Sequence, residues 1–287
     1  MIPQVLHVHG PGRCGTALAR MLRARGTKIL SISGGSGESG ANAAREFGVP
    51  FTKALPVLPE SAWLLIAVPD DVLPRVAEEL ARGPLPEGGM AWHPAAMHGR
   101  LVLAPLAARG MNTAAFHPLC AMPSGVELPH FDDALIAVDA EPAHTERLRA
   151  LAEALGGRPI HVPDAARAAW HLGATLAGNG PVALLQLAVR VWQQSGIEPA
   201  LAWPALAKLA LPVIERAGHA GVQGLTGPIV RGDAATVAAH LKHMASEHPE
   251  SVKLLRSLDE ELLRAAVSLP GDLNGREEIS RMLKEQS

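Results

Sequence analysis

The chain contains no tyrosine, only two cysteines, and few aromatic residues, 3% in all. The missing tyrosine excludes every mechanism that needs a phenolic proton donor, the Tyr–Lys pair of short-chain dehydrogenases included. Cys14 and Cys120 are too few for a disulfide framework, so a reducing, cytoplasmic compartment is expected. Charge of one sign is also missing: 26 basic residues face 28 acidic ones, and the pI is near 6.7. Nucleic acid and anionic membrane surfaces call for a clustered basic excess, so neither is expected as a partner. The start, Met1-Ile2-Pro3-Gln4, lacks the charged region of a signal peptide. One run, Ala168 to Trp192, is apolar enough to resemble a membrane span. His171, Asn179, Pro181, Gln186 and Arg190 interrupt it, and a buried helix of a soluble protein is the expectation.

What is present is an ordinary globular composition, 48% hydrophobic and 19% charged over 287 residues. That length implies two domains at ~150 residues each and a core that needs no staples. In the first half, short apolar runs alternate with helical patterns. Val5–Val8, Lys28–Ser33, Trp63–Val68, Met90–His93, Thr113–Phe116, Ala134–Val138 and Pro159–Val162 read as strands. Gly12–Arg25, Ala41–Phe47, Val72–Ala81, Arg100–Ala108 and Pro142–Leu155 read as helices, and Gly34–Gly40 as a loop. After Pro163 only helical patterns follow, over 164–195, 199–217, 233–246 and 249–268. The expectation is α/β: a doubly wound, mostly parallel sheet in residues 1–162, then an all-helical domain in 163–287. The apolar helical stretches Pro181–Val191 and Leu201–Ile214 suit a homodimer, because they are too hydrophobic to face water freely.

Gly10-Pro11-Gly12-Arg13-Cys14-Gly15 reads G-x-G-x-x-G between a strand and a helix. In that context the pattern is a dinucleotide-binding fingerprint. The first glycine makes a tight turn, the second lets backbone approach a diphosphate, and the third allows close helix–strand packing. The free N–H groups of the helix start would hold the phosphates. An NAD site places a carboxylate about 20 residues on, at the ribose hydroxyl. Here the second strand ends in Ser33, with Ser36 beyond it, and no carboxylate stands at that strand end. Small hydroxyls and Arg13 suit a 2′-phosphate, so NADP is expected over NAD, unless Ser33 and Ser36 are plain loop residues and Glu38 takes the ribose.

Ligands of doubly wound sheets lie outside the carboxyl ends of strands. Val68, Pro69 and Asp70 would line the nicotinamide side, unless Asp70 or Asp71 merely caps the next helix. His93 and His117 each end a strand and are followed by proline. His7 and His9, alternating in the first strand, read as structural. No metal site is expected: His93 and His98 lack a third ligand at useful spacing. Within the apolar run, His171, Thr175 and Asn179 stand four apart on one helix face, and Gly178, Gly180 and Pro181 weaken the helix there. A polar stripe of this kind implies partners or a ligand. Further on, Asp233 reads as a helix cap, while Arg231 could pair with a substrate carboxylate or form a salt bridge to Asp233 or Glu215.

At these residues the chain resembles the 6-phosphogluconate-dehydrogenase-like superfamily, in which a Rossmann domain precedes an all-helical dimerising domain. Ketopantoate reductases, pyrroline-5-carboxylate reductases and deazaflavin-dependent NADP reductases are relatives. More closely, it looks like a bacterial branch with a Rossmann-like domain and a domain of unknown function. The matching pieces are Gly10–Gly15, Val68–Asp71, His117-Pro118-Leu119, His171 with Asn179, and Leu225–Pro228 running into Arg231-Gly232-Asp233 and His240. The catalytic lysine of ketopantoate reductases is Thr175 here, and Ala174–Pro181 is instead similar to the pyrroline-carboxylate reductase helix, which lacks that lysine. The resemblance implies an NADP-dependent reductase acting on C=O or C=N of a small carboxylic acid. His171 or His117 would donate a proton, with Asn179 at the reacting group. The missing lysine leaves a non-catalytic NADP-binding module as the alternative.

Overall fold

The computed structural model describes residues 2–35, 37–122 and 131–284. It divides into two compact units, Met1–Gly178 and Asn179–Ser287. The first begins with β1 (Val5–His9), α1 (Arg13–Ala24), β2 (Lys28–Ser33), α2 (Gly37–Phe47), β3 (Phe51–Thr52), β4 (Trp63–Ile66) and α3 (Leu73–Ala81). It continues with β5 (Met90–His93), α4 (Ala104–Ala107), β6 (Asn112–Pro118), β7 (Leu135–Ala140), α5 (Pro142–Ala154), β8 (Arg158–Ile160) and α6 (Arg167–Gly178).

The eight strands form one sheet in the order β3-β2-β1-β4-β5-β6-β7-β8. All neighbours run parallel except β6 and β7. Between β1 and β4 the order reverses, and that is where a doubly wound sheet opens its crevice. Strand alternation sorts the core. Trp63, Leu65, Trp92 and Phe116 point to the face covered by α1, α2 and α5, while Leu64, Ile66 and Ala91 point to the face covered by α3 and α4. On the first face Trp63, Trp92 and Phe116 stack edge to face at 6.5 and 5.4 Å, tying three parallel strands together.

Four boundaries differ from the sequence expectation. The segment read as a loop, Gly34–Gly40, is already helical from Gly37. Arg100–Ala108 opens with a 3₁₀ turn, Arg100–Leu103, before α4. β3 is a two-residue strand that no periodicity can reveal. The first unit also runs past Val162 to Gly178, because Arg167 is buried in it and Trp170 stands against His117.

The second unit is helical throughout its described residues: α7 (Gly180–Gln194), α8 (Pro199–Ala220), α9 (Pro228–Arg231), α10 (Ala234–Glu247), α11 (Val252–Ala266) and α12 (Leu273–Lys284). The expected helix over 164–195 is therefore divided at Asn179, where the glycines and Pro181 weaken it. Asp233 caps α10 as expected, accepting from the Thr236 amide at 3.1 Å and hydroxyl at 2.8 Å. α12 lies outside the expected set. Its thin apolar stripe buries Ile279 and Leu283, while Arg276 donates to the carbonyls of Val230, Ala266, Leu269 and Pro270. Those carbonyls close two helix ends that would otherwise lack donors. The segment Asp164–Gln194 passes a length-and-hydropathy test for a membrane span. Little of its apolar stretch is buried, so the expected buried helix is corrected: a single copy leaves its apolar surface uncovered.

Candidate functional site

The turn after β1 is shaped by its glycines in three different ways. Gly10 has φ +87°, and a Cβ there would stand 2.7 Å from the Ala67 carbonyl oxygen. A Cβ on Gly15 would stand 2.5 Å from the Gly10 carbonyl oxygen. Both positions are demanded by the protein's own packing. A Cβ on Gly12 would meet nothing within 4 Å, so its bareness answers to no neighbour in the chain. Gly12 is the N-cap of α1, with no side chain bonded to the helix start, and the first intrahelical bond runs from Thr16 to Gly12. The amides of Arg13, Cys14 and Gly15 precede that bond and remain open to an anion. Cys14 can contribute only its amide, since burial pushes its thiol up to about 12.

Beside this turn lies a cavity of ≈ 410 Å³, walled by Gly12, Arg13, Arg20, Ser39, Asn42 and Glu46 among others. Arg13 is exposed at its rim. Arg20 is committed to Glu46 by a two-pronged contact at 2.5 and 2.6 Å, which raises the guanidinium's pKa and lowers the carboxyl's. Ser39, Asn42, Ala43 and Glu46 all line this cavity and follow an i, i+3, i+4, i+7 stripe on α2. That stripe is the signal that would have found them.

Ser33 requires correction as a phosphate ligand. It is fully buried, and its hydroxyl lies 2.7 Å from His7 Nε2 and 2.9 Å from His9 Nδ1. His7 also reaches the Ser31 hydroxyl at 2.7 Å. Strands β1 and β2 pair His7 with Ser31 and His9 with Ser33, so the four side chains share one face. Burial lowers both imidazoles, His7 to about 3. The structural reading of the two histidines stands, and it absorbs Ser33 with them. Ser36 lies outside the described residues.

At the carboxyl ends of β4, β5 and β6 the residues singled out for chemistry hold one loop, 94–99. The Asp70 carboxylate accepts from the Met97 amide at 2.9 Å, and its carbonyl bonds His98 Nε2 at 3.0 Å. Neither Asp70 nor Asp71 caps α3, whose N-cap is Val72. His93 is fully buried: Nε2 donates to the Gly99 carbonyl at 3.1 Å and Nδ1 accepts from Ala95 at 3.2 Å. Both ring nitrogens are spent and burial lowers the pKa to about 3, so His93 is a structural brace and not a cofactor ligand. His117 is half-buried. Its Nδ1 donates to the Pro94 carbonyl at 2.8 Å, which leaves Nε2 without its proton. Burial lowers this pKa too. A neutral His117 accepts at Nε2, which corrects the expectation that it rests as a proton donor. Val68 is half-buried and Pro69 exposed at the same edge.

His171 and Thr175 are exposed on α6, and the Thr175 hydroxyl turns back to the His171 carbonyl at 3.0 Å. Asn179, also exposed, opens the second unit. In a single copy the polar stripe therefore carries no burial cost. Arg231 is exposed at the end of α9 and, among the described residues, forms no salt bridge to Asp233 or Glu215. The second unit also holds a smaller cavity, ≈ 120 Å³, where Thr226, His240 and Asp259 meet apolar walls. Asp259 is buried, and burial raises its pKa. Asp259 escaped the sequence reading because it sits in a run of charged residues on α11.

Residues 5–118 match the Rossmann-like domain and residues 134–261 the Domain of unknown function (DUF2520). A Rossmann-like match is thus followed along the chain by a DUF2520 match. No curated protein matches the chain. Among solved structures, a Bacteroides fragilis protein provisionally described as an NADP oxidoreductase is 18% identical, with TM-score 0.74, covering 91% of this chain and 98% of its own. A Thermotoga maritima protein is 24% identical, with TM-score 0.68, covering 92% and 98%. The pyrroline-5-carboxylate reductase of Coxiella burnetii is 18% identical, with TM-score 0.55, covering 97% and 99%. At these identities the likeness is one of fold.

Proposed function

We propose that the protein is an NADP-dependent oxidoreductase that reduces a C=O or C=N group on a small carboxylic acid. The observation that carries this reading is Gly12: a bare position at a strand-to-helix turn, beside open amides, with no internal reason for its bareness. The cradle fits a diphosphate. Arg13, Ser39 and Asn42 supply a cation and polar groups beside it, the composition a 2′-phosphate asks for. The names borne by the structural neighbours agree: an NADP oxidoreductase and pyrroline-5-carboxylate reductases, one of them solved with NADP bound.

The cofactor would supply the hydride, while the chain would bind, orient and handle the proton. Gly12 and the amides of Arg13 to Gly15 hold phosphate. Val68 and Pro69 bound the nicotinamide side. Asp70, His93 and His117 keep the 94–99 loop in place, and neutral His117 offers Nε2 as an acceptor to a protonated imine or an alcohol. His171, exposed on α6, is the proton donor of this reading. The roles of Asn179 at the reacting group and Arg231 at the carboxylate rest on the sequence alone.

The test is calorimetry with NADPH and NADH on wild type and Gly12→Val. We expect NADPH to bind more tightly than NADH. The valine, a β-branched side chain set in the phosphate path, should weaken NADPH by ~100-fold or more (about 2.7 kcal/mol) while the thermal midpoint stays within a few degrees. No affinity for either nucleotide sinks the proposal. Binding without turnover on a panel of keto acids and cyclic imines would favour the non-catalytic module instead.

A further inference from the structure

Among the described residues, two buried N–H donors at the start of α6 have no acceptor. Arg167 is 1% exposed, with Nε donating to Asp164 Oδ1 at 3.1 Å and Nη1 to the Ala96 carbonyl at 3.5 Å. Its Nη2 is shielded and unpartnered, and so is the indole Nε1 of Trp170. The two residues are three apart on one helix, so their side chains leave the same face. The Trp170 ring stands edge-on to His117 at 6.5 Å, and the Arg167 charge acts on both His93 and His117.

A buried donor left without an acceptor loses its water and gains nothing in return. One such atom could be an accident of packing. A cationic and a neutral donor on one helix face, beside the ring of a neutral imidazole, are suited to an accepting guest. The guest must bring oxygens that accept. One guanidinium, already shared with Asp164, and one uncharged indole match a monoanion with two oxygens and not a dianion. His117 and Trp170 are only half-buried, so the donors lie a short way beneath the surface.

We propose that Arg167 Nη2 and Trp170 Nε1 form a carboxylate anchor, holding the acid group of the substrate next to His117. That the anion belongs to a substrate rests on the reductase reading; the anion site itself does not. The anchor also moves the carboxylate role from Arg231 to a residue of the first unit.

The experiment titrates propionate, propionamide and inorganic phosphate into the full chain by calorimetry, with and without NADPH. Wild type is compared with Trp170→Phe, which keeps an aromatic ring and deletes only the N–H, and with Arg167→Lys, which keeps the charge and loses the fork. Propionate should bind, propionamide should not, and phosphate should bind more weakly than propionate. Trp170→Phe should weaken propionate by roughly 10-fold, the scale of one hydrogen bond to a charged acceptor, with unfolding unchanged. Arg167→Lys should weaken it further. Equal binding of acid and amide overturns the proposal, since a trapped water would then be the guest. So does an unaltered propionate affinity in Trp170→Phe, or loss of it in Arg231→Ala alone. If NADPH fails to bind while propionate still depends on Trp170, the anchor stands and the reductase reading falls. If turnover proceeds unaltered in Trp170→Phe, the anchor falls and the reductase reading stands.

Discussion

The two units treat their apolar residues differently. In the first, the sheet is covered on both faces, and Leu18, Leu65, Trp92, Phe116 and Leu148 are all within 2% of complete burial. In the second, α7 and α8 leave Val182, Leu201, Leu209, Leu211 and Ile214 more than half exposed. A sheet that helices wrap on both sides closes its own core. A helical unit in which α7 and α8 share Val189, Ala202 and Leu206 as a small buried cluster does not. Among the described residues the first unit closes its own core, while the second leaves apolar helix faces exposed. A second copy of the chain is the occupant we favour, because exposed apolar surface of this extent is rarely left to water.

The comparison can be broken most sharply by truncation in the core. Leu148→Ala, at 0% exposure under the sheet, should cost about 2–5 kcal/mol in urea unfolding, and the loss should not depend on protein concentration. A concentration-dependent loss would mean that the first unit also leans on a partner. Acid tests the same unit by another route. His7 and His93 are neutral in the fold, each with a pKa of about 3, against 6.5 when unfolded. Below pH 6.5 the unfolded chain takes up protons that the fold refuses, so stability falls as pH drops from 6.5 towards 3. The limiting slope is about 1.4 kcal/mol per pH unit for each histidine. His93→Gln should shallow that slope in urea midpoints collected from about pH 7 to 4.5, the window the unfolded-state histidine titration spans; an unchanged slope would place the proton uptake elsewhere.

The second unit should respond in mass and not in intrinsic stability. Light scattering on wild type should give twice the 30.1 kDa of the chain, and Leu209→Glu with Leu211→Glu should return it to one copy. Within that single copy the two exposed substitutions should change stability by less than about 0.5 kcal/mol each. A wild-type mass of 30.1 kDa would show that the exposed helices need no second copy.

How much of the site can be read in advance depends on how local its cause is. The glycine turn is legible because strand, turn and helix are contiguous in the chain. Ser33 reads as a phosphate ligand, although the pattern that corrects it is present: histidines two apart on β1 and serines two apart on β2 must face each other once those strands pair in register. His93 and His117 do stand at the ligand edge, yet their partners, the carbonyls of Gly99 and Pro94, sit in a loop whose path no periodicity describes. Arg167 is invisible in the sequence because an arginine near a helix start reads as solvated until its burial is known.

Sequence alone determined the doubly wound sheet, the helical second half, and the turn at Gly10 to Gly15. Each follows from side-chain period or from glycine's freedom, properties written within a few residues. Tertiary structure decided which polar groups are spent and which are free. A hydrogen bond consumes a donor only when a partner distant in the chain arrives within reach, and that meeting is settled by packing.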